Sequence, residues 1–437
     1  MPDDTLFPVG TPVPKPPPPP GTPRVQVPVR NQVEFLQATL DSQVEDDHPV
    51  RAIWDFVEHV DVTALYEPIR AVEGGAGRPP IVPRILLALW MYATLRGISS
   101  GRELEQLCSE SMPFRWLCGG VSVNHHTLSD FRSGSGAILD EIMTDSLTVL
   151  LQQKLVTLNH VAHDGMRTRA HAGSSSFHGS ESLEECYDQA EAQVQALRRE
   201  FDEQDPGAGG RRSRAARERA ARERKERIAE ARRQMPGIEA VKKKKGSKTK
   251  PRVSTTDPDA RVMKMANGGY NPAYNVQLSA DVDSQIIVGV GVTNCGSDHA
   301  LLPAAIQEIE ARCGRAPENV LVDGGFNKPE NIAAVSDRTT VYAPPTEFKD
   351  EDGNVKESKP SNVPAITAWR ERMKTGEAKE IYKDRASTIE CVNAHMRNRN
   401  LRQFNVRGLA RVKAVVLLYA LAHNAVRAAS LRKAQSG

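Results

Sequence analysis

The chain has 437 residues, of which 39% are apolar, so it is long enough for two or three domains with a large hydrophobic core. Its six cysteines form no CxxC pair and no zinc-ligand spacing, which excludes a disulfide framework and predicts reduced thiols. The net charge is only +3, but residues 211–250 hold seventeen Lys or Arg and five Glu, a local charge of +12. The charge is therefore concentrated in one segment.

The N-terminal segment, residues 1–28, is rich in proline and is expected to be a disordered tail without a packed core. Residues 1–13 carry acids and prolines where a secretory signal needs a basic start and an apolar core. No apolar run of membrane-spanning length is expected. The sequence therefore predicts a cytoplasmic protein with no membrane partner.

Residues 29–155 are predicted to form an all-α domain. Val82 to Arg96 forms an apolar helix, Ser100 with Glu103 forms a capping box that opens the next, and a third begins near Asn124. Compact helical sets of this kind often place one helix in a DNA major groove. On that hypothesis the residues that contact bases or phosphates are Asn124, His125, Thr127 and Arg132. A structural or dimerising helical domain is the alternative.

Residues 173–255 are predicted to be a basic helical insertion. Two helical stretches, residues 183–201 and 212–235, flank a Pro- and Gly-rich break and predict a helical hairpin. The second arm ends near four lysines that are suited to neutralising DNA phosphates, Lys242, Lys243, Lys244 and Lys245. The alternative is a solvated helix stabilised by ion pairs between its own Glu and Arg side chains.

The remaining chain alternates strands and helices. An apolar alternation predicts a strand that ends at Asp164, where Gly165 marks a turn. A second acid, Asp323, follows a short buried strand over residues 320–322. The other predicted elements are strands at 274–281 and 285–293 joined by a hairpin turn, a helix at 298–313 capped by Ser297 or Asp298, a helix at 329–336 and a strand at 339–342. Residues 344–380 are expected to be a polar, loop-rich insertion.

A third acid, Glu390, lies in a basic helical stretch over residues 382–397. Taken singly, each acid is explained by a turn or by a surface ion pair. Taken together, Asp164, Asp323 and Glu390 offer three carboxylates from rigid elements. Phosphoryl transfer with two divalent ions needs such a set, and carboxylate oxygens are ligands that Mg²⁺ prefers.

The order of three strands, helix, strand, helix, strand and helix resembles the ribonuclease-H-like arrangement. The local motifs resemble bacterial DDE-type insertion-sequence transposases with a Tyr-Arg-Glu-Lys signature, over roughly residues 50–430. The motifs that carry the resemblance are Arg78 to Leu87, Asp164-Gly165, Thr256 to Arg261, Asp323 to Phe326 and Tyr382 to Arg397. The resemblance implies an α/β ribonuclease-H-like catalytic domain at 156–430, with a mixed five-stranded sheet and the two insertions, followed by a tail at 431–437.

The resemblance also implies roles for individual residues. Asp164, Asp323 and Glu390 would be the catalytic acids and would bind two Mg²⁺ or Mn²⁺ ions. Tyr382, Arg385 and Arg397 would position DNA phosphates near the cut, and the helical domain would recognise transposon ends. Two departures stand out: Arg397 replaces the usual Lys, and four residues separate Arg385 from Glu390 where three are usual.

The function that these expectations favour is transposition in the bacterial cytoplasm, in association with the nucleoid. The enzyme would cleave transposon ends and then use the freed 3′-hydroxyl to attack target DNA. Its partner would be double-stranded DNA, both inverted repeats and target, with a homodimer formed on DNA. The alternatives are a metal-dependent nuclease that does not join, a domesticated DNA-binding protein without activity, and a helical interaction scaffold.

Overall fold

The computed structural model describes residues 38–69, 79–203, 207–244, 246, 249–346, 348–349, 355–356 and 361–436. The predicted Pro-rich tail, Arg78, Lys245 and part of the 344–380 insertion lie outside these ranges. The described helices are α1 (Pro49–His59), α2 (Pro83–Leu95), α3 (Gly101–Glu110), α4 (Met112–Cys118), α5 (His125–Gly134), α6 (Gly136–Gln152), α7 (Ser180–Glu203), α8 (Gly207–Lys244), α9 (Leu302–Cys313), α10 (Pro329–Val335), α11 (Pro364–Lys374), α12 (Gly376–Arg385), α13 (Cys391–Asn398) and α14 (Leu409–Ser436).

The described strands are β1 (His160–Arg169), β2 (Phe177–His178), β3 (Val253–Ser254), β4 (Arg261–Lys264), β5 (Tyr270–Asp281), β6 (Ile287–Thr293), β7 (Asn319–Val322), β8 (Thr340–Tyr342), β9 (Phe348–Lys349) and β10 (Val355–Lys356). The main sheet has the neighbour order β6–β5–β1–β7–β8. β5 runs antiparallel to β1 and β6, whereas β7 runs parallel to β1 and β8 runs parallel to β7. Helices and a mixed sheet therefore form an α/β fold.

The main sheet has six strands, one more than predicted. β4 pairs with the N-terminal part of β5, on the same edge that β6 uses further along. β5 is long because it begins at Tyr270, four residues before its predicted start. This extension was not predicted, because residues 266–270 are exposed and lack the apolar alternation of a half-buried strand.

β1 does not end at Asp164, so the predicted strand end is wrong. Its antiparallel pairing with β5 continues as far as Arg169, opposite Ala273, which keeps the backbone extended through Gly165. On its other edge, the pairing with β7 stops at His163, opposite Val322. Asp164 is therefore the first residue of β1 beyond the parallel pairing.

The N-terminal helices follow the predicted signals. Ser100 accepts a hydrogen bond from the Glu103 amide at 3.4 Å and opens α3, and Asn124 accepts one from the Thr127 amide at 2.9 Å and opens α5. α2 is buried along nearly its whole length. By contrast, neither Ser297 nor Asp298 caps α9, because that helix begins only at Leu302.

The insertion forms the predicted helical hairpin. α7 and α8 pack on each other, and the short pair of β2 with β3 closes the base. A small apolar cluster separate from the main core holds the two arms together: Leu183, Ala190, Ile228, Ala231, Met235 and Val253. The hairpin therefore has its own stabilising core.

α14 is the central helix of the fold. It is long and apolar enough to cross a membrane, so the expectation that no run reaches that length is wrong. Its most apolar window is 67% buried within the protein, against α2, α6 and β6. The apolar composition is explained by this packing.

One hydrophobic core joins the N-terminal helices to the sheet. Its buried side chains form a single connected cluster with members from Val44 to Ala428, and residues 40–437 form one compact unit. Asn424 on α14 clamps the sheet to this core, since its amide accepts from the Ile287 N–H and donates to the Ile287 carbonyl, both at 2.8 Å. α14 thus packs on helices and sheet at once.

Candidate active site

Asp164 and Asp323 lie side by side on neighbouring parallel strands. The register pairs His163 with Val322, so the two acids are the next residues on β1 and after β7. The Asp323 side chain accepts a hydrogen bond from the Gly325 amide at 2.7 Å, and that of Asp164 accepts from the Gly165 amide at 2.7 Å. Backbone amides therefore fix both carboxylates at one edge of the sheet.

This proximity raises the pKa of Asp164. Burial is the largest cause and the negative charge of Asp323 the second, and together they raise the pKa to about 6. The Gly165 amide and the guanidinium of Arg385 act in the opposite direction. The pair of aspartates therefore concentrates negative charge where a cation would be favoured.

Arg385 is the cation that faces these acids. Its Nη2 donates to Glu390 Oε1 at 3.0 Å, and its Nη1 lies 3.9 Å from Asp164 Oδ2. The guanidinium is mostly buried, whereas the Glu390 side chain is half-exposed. Arg385 therefore stands between the helical acid and the strand acid.

A π-helical turn over Ala386–Glu390 makes the contact of Arg385 with Glu390 possible. In a regular α-helix, residues five apart point about 140° away from each other. A π turn absorbs one extra residue, so such a pair becomes equivalent to neighbours four apart, roughly 40° away from each other. The four-residue spacing between Arg385 and Glu390 is thus accommodated in the backbone.

Two further side chains complete the site. Asn393, one turn after Glu390, is buried and donates from Nδ2 to Asp164 Oδ2 at 3.2 Å. Tyr382, one turn before Arg385, is partly buried, and burial raises the pKa of its hydroxyl while Arg385 opposes that shift. The site therefore comprises two strand aspartates and one helical face.

The donor set suits a divalent ion, although the side chains are not arranged as a metal cage. Within the described ranges, no three His, Cys, Asp or Glu side chains are grouped closely enough to hold a metal ion as they stand. Two buried atoms at the site lack a hydrogen-bond partner, Asn393 Oδ1 and Arg385 Nη1. A bound cation would relieve the repulsion between the aspartates.

The predicted DNA contacts on α5 belong to another part of the fold. Asn124 and Thr127 bond to each other at the start of α5, and His125 Nδ1 lies 2.6 Å from Glu105 Oε2. Arg132 is only 8% exposed, lies over the Trp90 ring and donates to the Ser99 carbonyl. A buried guanidinium cannot reach DNA from this position, so the structure contradicts the prediction for Arg132.

Ion pairs occupy much of the basic hairpin. Glu side chains on the same or the opposite arm pair with Arg217, Arg222, Lys225, Arg232 and Arg233. At the end of α8, Lys242 donates to the Lys250 carbonyl at 2.9 Å, whereas Lys243 and Lys244 are exposed. The alternative of a helix with internal ion pairs therefore describes the arms well.

Several residues near the site escaped the sequence analysis. Asn393 had a usable signal, because it is three residues after Glu390 on the same helical face. Asp298 was interpreted as a helix cap, but its carboxylate pairs with Arg167 at 2.6 Å and accepts from Asn275 at 2.7 Å. Arg167 and Arg169 lie two residues apart on β1 and therefore on one face of the strand. The prediction that the strand ends at Asp164 left this pair unnoticed.

Comparison with known families gives two matches. The family described as Transposase domain (DUF772) matches residues 38–134, which contain α1 to α5. The family described as Transposase DDE domain matches residues 349–429, which include Tyr382, Arg385, Glu390 and Arg397 but neither aspartate. No curated protein and no solved structure matches the chain. These two matched segments are similar to transposase families and support an insertion-sequence DDE transposase.

Proposed function

We propose that this transposase cuts transposon ends and joins them to target DNA through a single site formed by Asp164, Asp323 and Glu390. The observation that carries the proposal is that Arg385 links Glu390 to Asp164, while Asp323 lies beside Asp164 on the neighbouring strand. Both steps would be in-line displacements at phosphorus, first by water and then by the freed 3′-hydroxyl. The protein would contribute by positioning the reacting groups of the DNA and by neutralising their charge.

The topology supports a ribonuclease-H-like catalytic domain. The sheet order β6–β5–β1–β7–β8, with β1 antiparallel to β5 and parallel to β7, agrees with the arrangement that the sequence resemblance implies. In this arrangement the first and fourth strands of the domain bring their acids together. The Tyr-Arg-Glu-Lys signature group fits the spacing of Tyr382, Arg385, Glu390 and Arg397 once the π turn is included.

Asp164, Asp323 and Glu390 would hold two divalent ions, Mg²⁺ or Mn²⁺. When bound, these ions supply Lewis acidity to the attacking and leaving oxygens. The raised pKa of Asp164 means that its carboxyl loses its proton readily only above about pH 6, which fits a group meant to meet a cation. Arg385, freed from Glu390, would turn its planar guanidinium to a DNA phosphate, and Arg397 would bind another.

The DNA partner is proposed to be the double-stranded inverted repeats and the target. Two transposon ends must be cut together, so two copies of the protein are expected to meet as a homodimer on DNA. Such a complex would reside at the nucleoid. The helical segment that matches the transposase domain is the proposed reader of the ends, through surfaces other than buried Arg132.

The test uses a donor DNA that carries the gene with its native flanks, incubated with purified protein and Mg²⁺. Broken and joined ends are mapped by sequencing. Asp164→Ala, Asp323→Ala and Glu390→Gln are each expected to reduce cleavage by at least about 10³-fold while DNA binding remains, because these groups act on the transition state. Asp188→Asn, which alters an exposed acid of α7, is the control and should cleave normally.

Other outcomes separate the alternatives. Cleavage without joined products would identify a metal-dependent nuclease. Binding to DNA without any cleavage, equal in all variants, would identify a DNA-binding relic, and a chain that binds neither inverted repeats nor target would be an interaction scaffold. Wild-type cleavage by Glu390→Gln would refute the proposed triad.

A further inference from the structure

A basic groove opens at Gly165, the residue after Asp164. Its volume is about 780 Å³, and five of its twelve lining residues are cations, Arg167, Arg169, Lys264, Arg397 and Arg402, while none is an acid. Of these, Arg397 alone was singled out by its position in the sequence. A groove lined by cations of one sign focuses a positive potential and attracts an anionic ligand.

We propose that this groove binds consecutive backbone phosphates of the transposon-end duplex, directly beside the phosphate that is cut. The proposal rests on the proposed function, because it assigns the DNA strand its path away from Asp164, Asp323 and Glu390. It adds Arg169, Lys264 and Arg402 as positioning residues.

The shape of the groove follows from the free edge of β1. Beyond His163, β7 no longer covers this edge, and Gly165 lines the groove without a side chain. An added Cβ at Gly165 would fall within 2.9 Å of side-chain atoms of Gln277, Asp298 and Asn275, so these side chains would have to shift. Glycine therefore lets three polar side chains pack against the strand immediately after Asp164.

The opposite wall comes from the end of α13 and the loop that follows. The Arg169 amide donates to the Arg402 carbonyl at 3.1 Å, which ties this loop to β1. Arg402 Nε donates to the Arg397 carbonyl at 3.1 Å, which directs its guanidinium along the wall. Backbone hydrogen bonds thus hold the two walls at a fixed separation.

Most of these cations are free to bind a ligand. Among the described residues, the side chains of Arg169, Lys264 and Arg397 make no hydrogen bond or ion pair, and all three are exposed. Arg167 differs, because Asp298 neutralises it at 2.6 Å. Several arginines of the hairpin, by contrast, are paired with Glu.

The length of the groove suits a short run of DNA. From Gly165 to Arg169 the extended strand covers roughly 13 Å. One DNA strand rises about 3.4 Å per nucleotide along the duplex axis, so the groove spans about four nucleotides. A small anion such as a free phosphate would leave most of the cations without a partner.

The experiment measures binding of a duplex transposon end to metal-free protein by fluorescence anisotropy over a range of salt concentrations. The test variant carries Arg169→Gln and Arg402→Gln, and the matched control carries Lys154→Gln and Lys433→Gln, two exposed lysines outside the groove. Each lost phosphate contact lowers the slope of log affinity against log salt by about 0.9. The test variant should therefore lose close to two units of slope, and the control should match the wild type.

A second measurement locates the contact. Single phosphates of the duplex are replaced one at a time by neutral methylphosphonates. Wild-type affinity should fall at a cluster of about four adjacent positions, matching the length of the groove, and the test variant should be insensitive at about two of those positions. An unchanged slope, or equal sensitivity of both proteins at every position, would overturn the groove assignment.

The two proposals fail separately. If Glu390→Gln cleaves DNA normally but the salt dependence of DNA binding is weaker in the groove variant, the triad assignment is wrong and the groove assignment is supported. If the catalytic variants are inactive but the groove variant binds like the wild type, the triad stands and the groove is wrong. Neither measurement of binding needs catalysis.

Discussion

At the residue scale, the burial of Asp164 links activity to a cost in stability. The pKa of its carboxyl rises from 3.8 to about 6 on folding, so the folded protein holds this proton more tightly than the unfolded chain does. Stability therefore increases as the pH falls from about 6 to about 4, and the ionised carboxylate destabilises the fold at higher pH. A group kept in such a position is typical of an active site.

We therefore expect Asp164→Asn to stabilise the protein at about pH 8. The gain in the free energy of unfolding should be on the order of 1–3 kcal/mol, since the substitution removes a buried charge beside Asp323. It should vanish below about pH 4, where the wild-type carboxyl is protonated in both states. Denaturant titrations at the two pH values measure this difference, with exposed Asp188→Asn as control. A gain that is equal at both pH values would contradict the assignment.

The site was predicted in part from the sequence. The acids Asp164, Asp323 and Glu390 stood out because turn and strand signals are local; in the structure Asp323 acts on the pKa of Asp164, and Arg385 lies between Asp164 and Glu390. Asn393 and Asp298 did not stand out, because their partners Asp164 and Arg167 are more than 100 residues away in the chain. Arg132 was misjudged, since a basic residue on a polar helix face gives no sign that Trp90 covers it.

At the element scale, the π turn decides which way Glu390 points. Arg385 and Glu390 are paired across it, and the turn packs against β1 and β5. Hydrogen-bond patterns of this kind are rare, and they occur frequently at functional sites. Sequence periodicity does not reveal the turn. The extra residue is visible only as four residues between Arg385 and Glu390 where three are usual.

Insertion of one alanine after Ser387 tests this element. The π turn already absorbs one residue, so a second added residue should rotate Arg385 by about 100° relative to Glu390. Cleavage should fall by at least about 10²-fold, because a misdirected group contributes little to a preorganised site. Circular dichroism and DNA binding should remain close to wild type, since Ser387 is exposed. Deletion of Ser387 is the matched control, because it should convert the π turn to α-helix, keep Arg385 and Glu390 roughly 40° apart and retain cleavage. An active insertion variant would show that the orientation of this pair is dispensable.

At the scale of the whole molecule, the N-terminal helices and the sheet share one core around α14. The separate domains expected at 29–155 and 156–430 are continuous in their packing, because α1, α2, α5 and α6 all contact α14. Secondary structure was predictable from local patterns. This long-range packing was not, since nothing local indicates which apolar faces will meet.

Asn424→Ala is expected to destabilise helices and sheet together. The substitution leaves the buried N–H and carbonyl of Ile287 without partners, at a cost of about 2–4 kcal/mol. Calorimetry of the wild type should show one main transition for this core, which the variant shifts as a whole to lower temperature. Exposed Asn398→Ala should leave it in place. Two transitions, with only one displaced, would show that the N-terminal helices fold independently.

The position of α14 late in the chain has a consequence for synthesis. At about 5–20 residues per second, the ribosome needs roughly 20–80 s to make the residues before Leu409. During that time the apolar surfaces of α2 and α6 lack the helix that covers them, and exposed apolar surface of this kind favours aggregation. A gene copy interrupted before codon 409 would therefore yield a chain for degradation, and it would not yield a folded DNA-binding fragment able to compete with intact transposase.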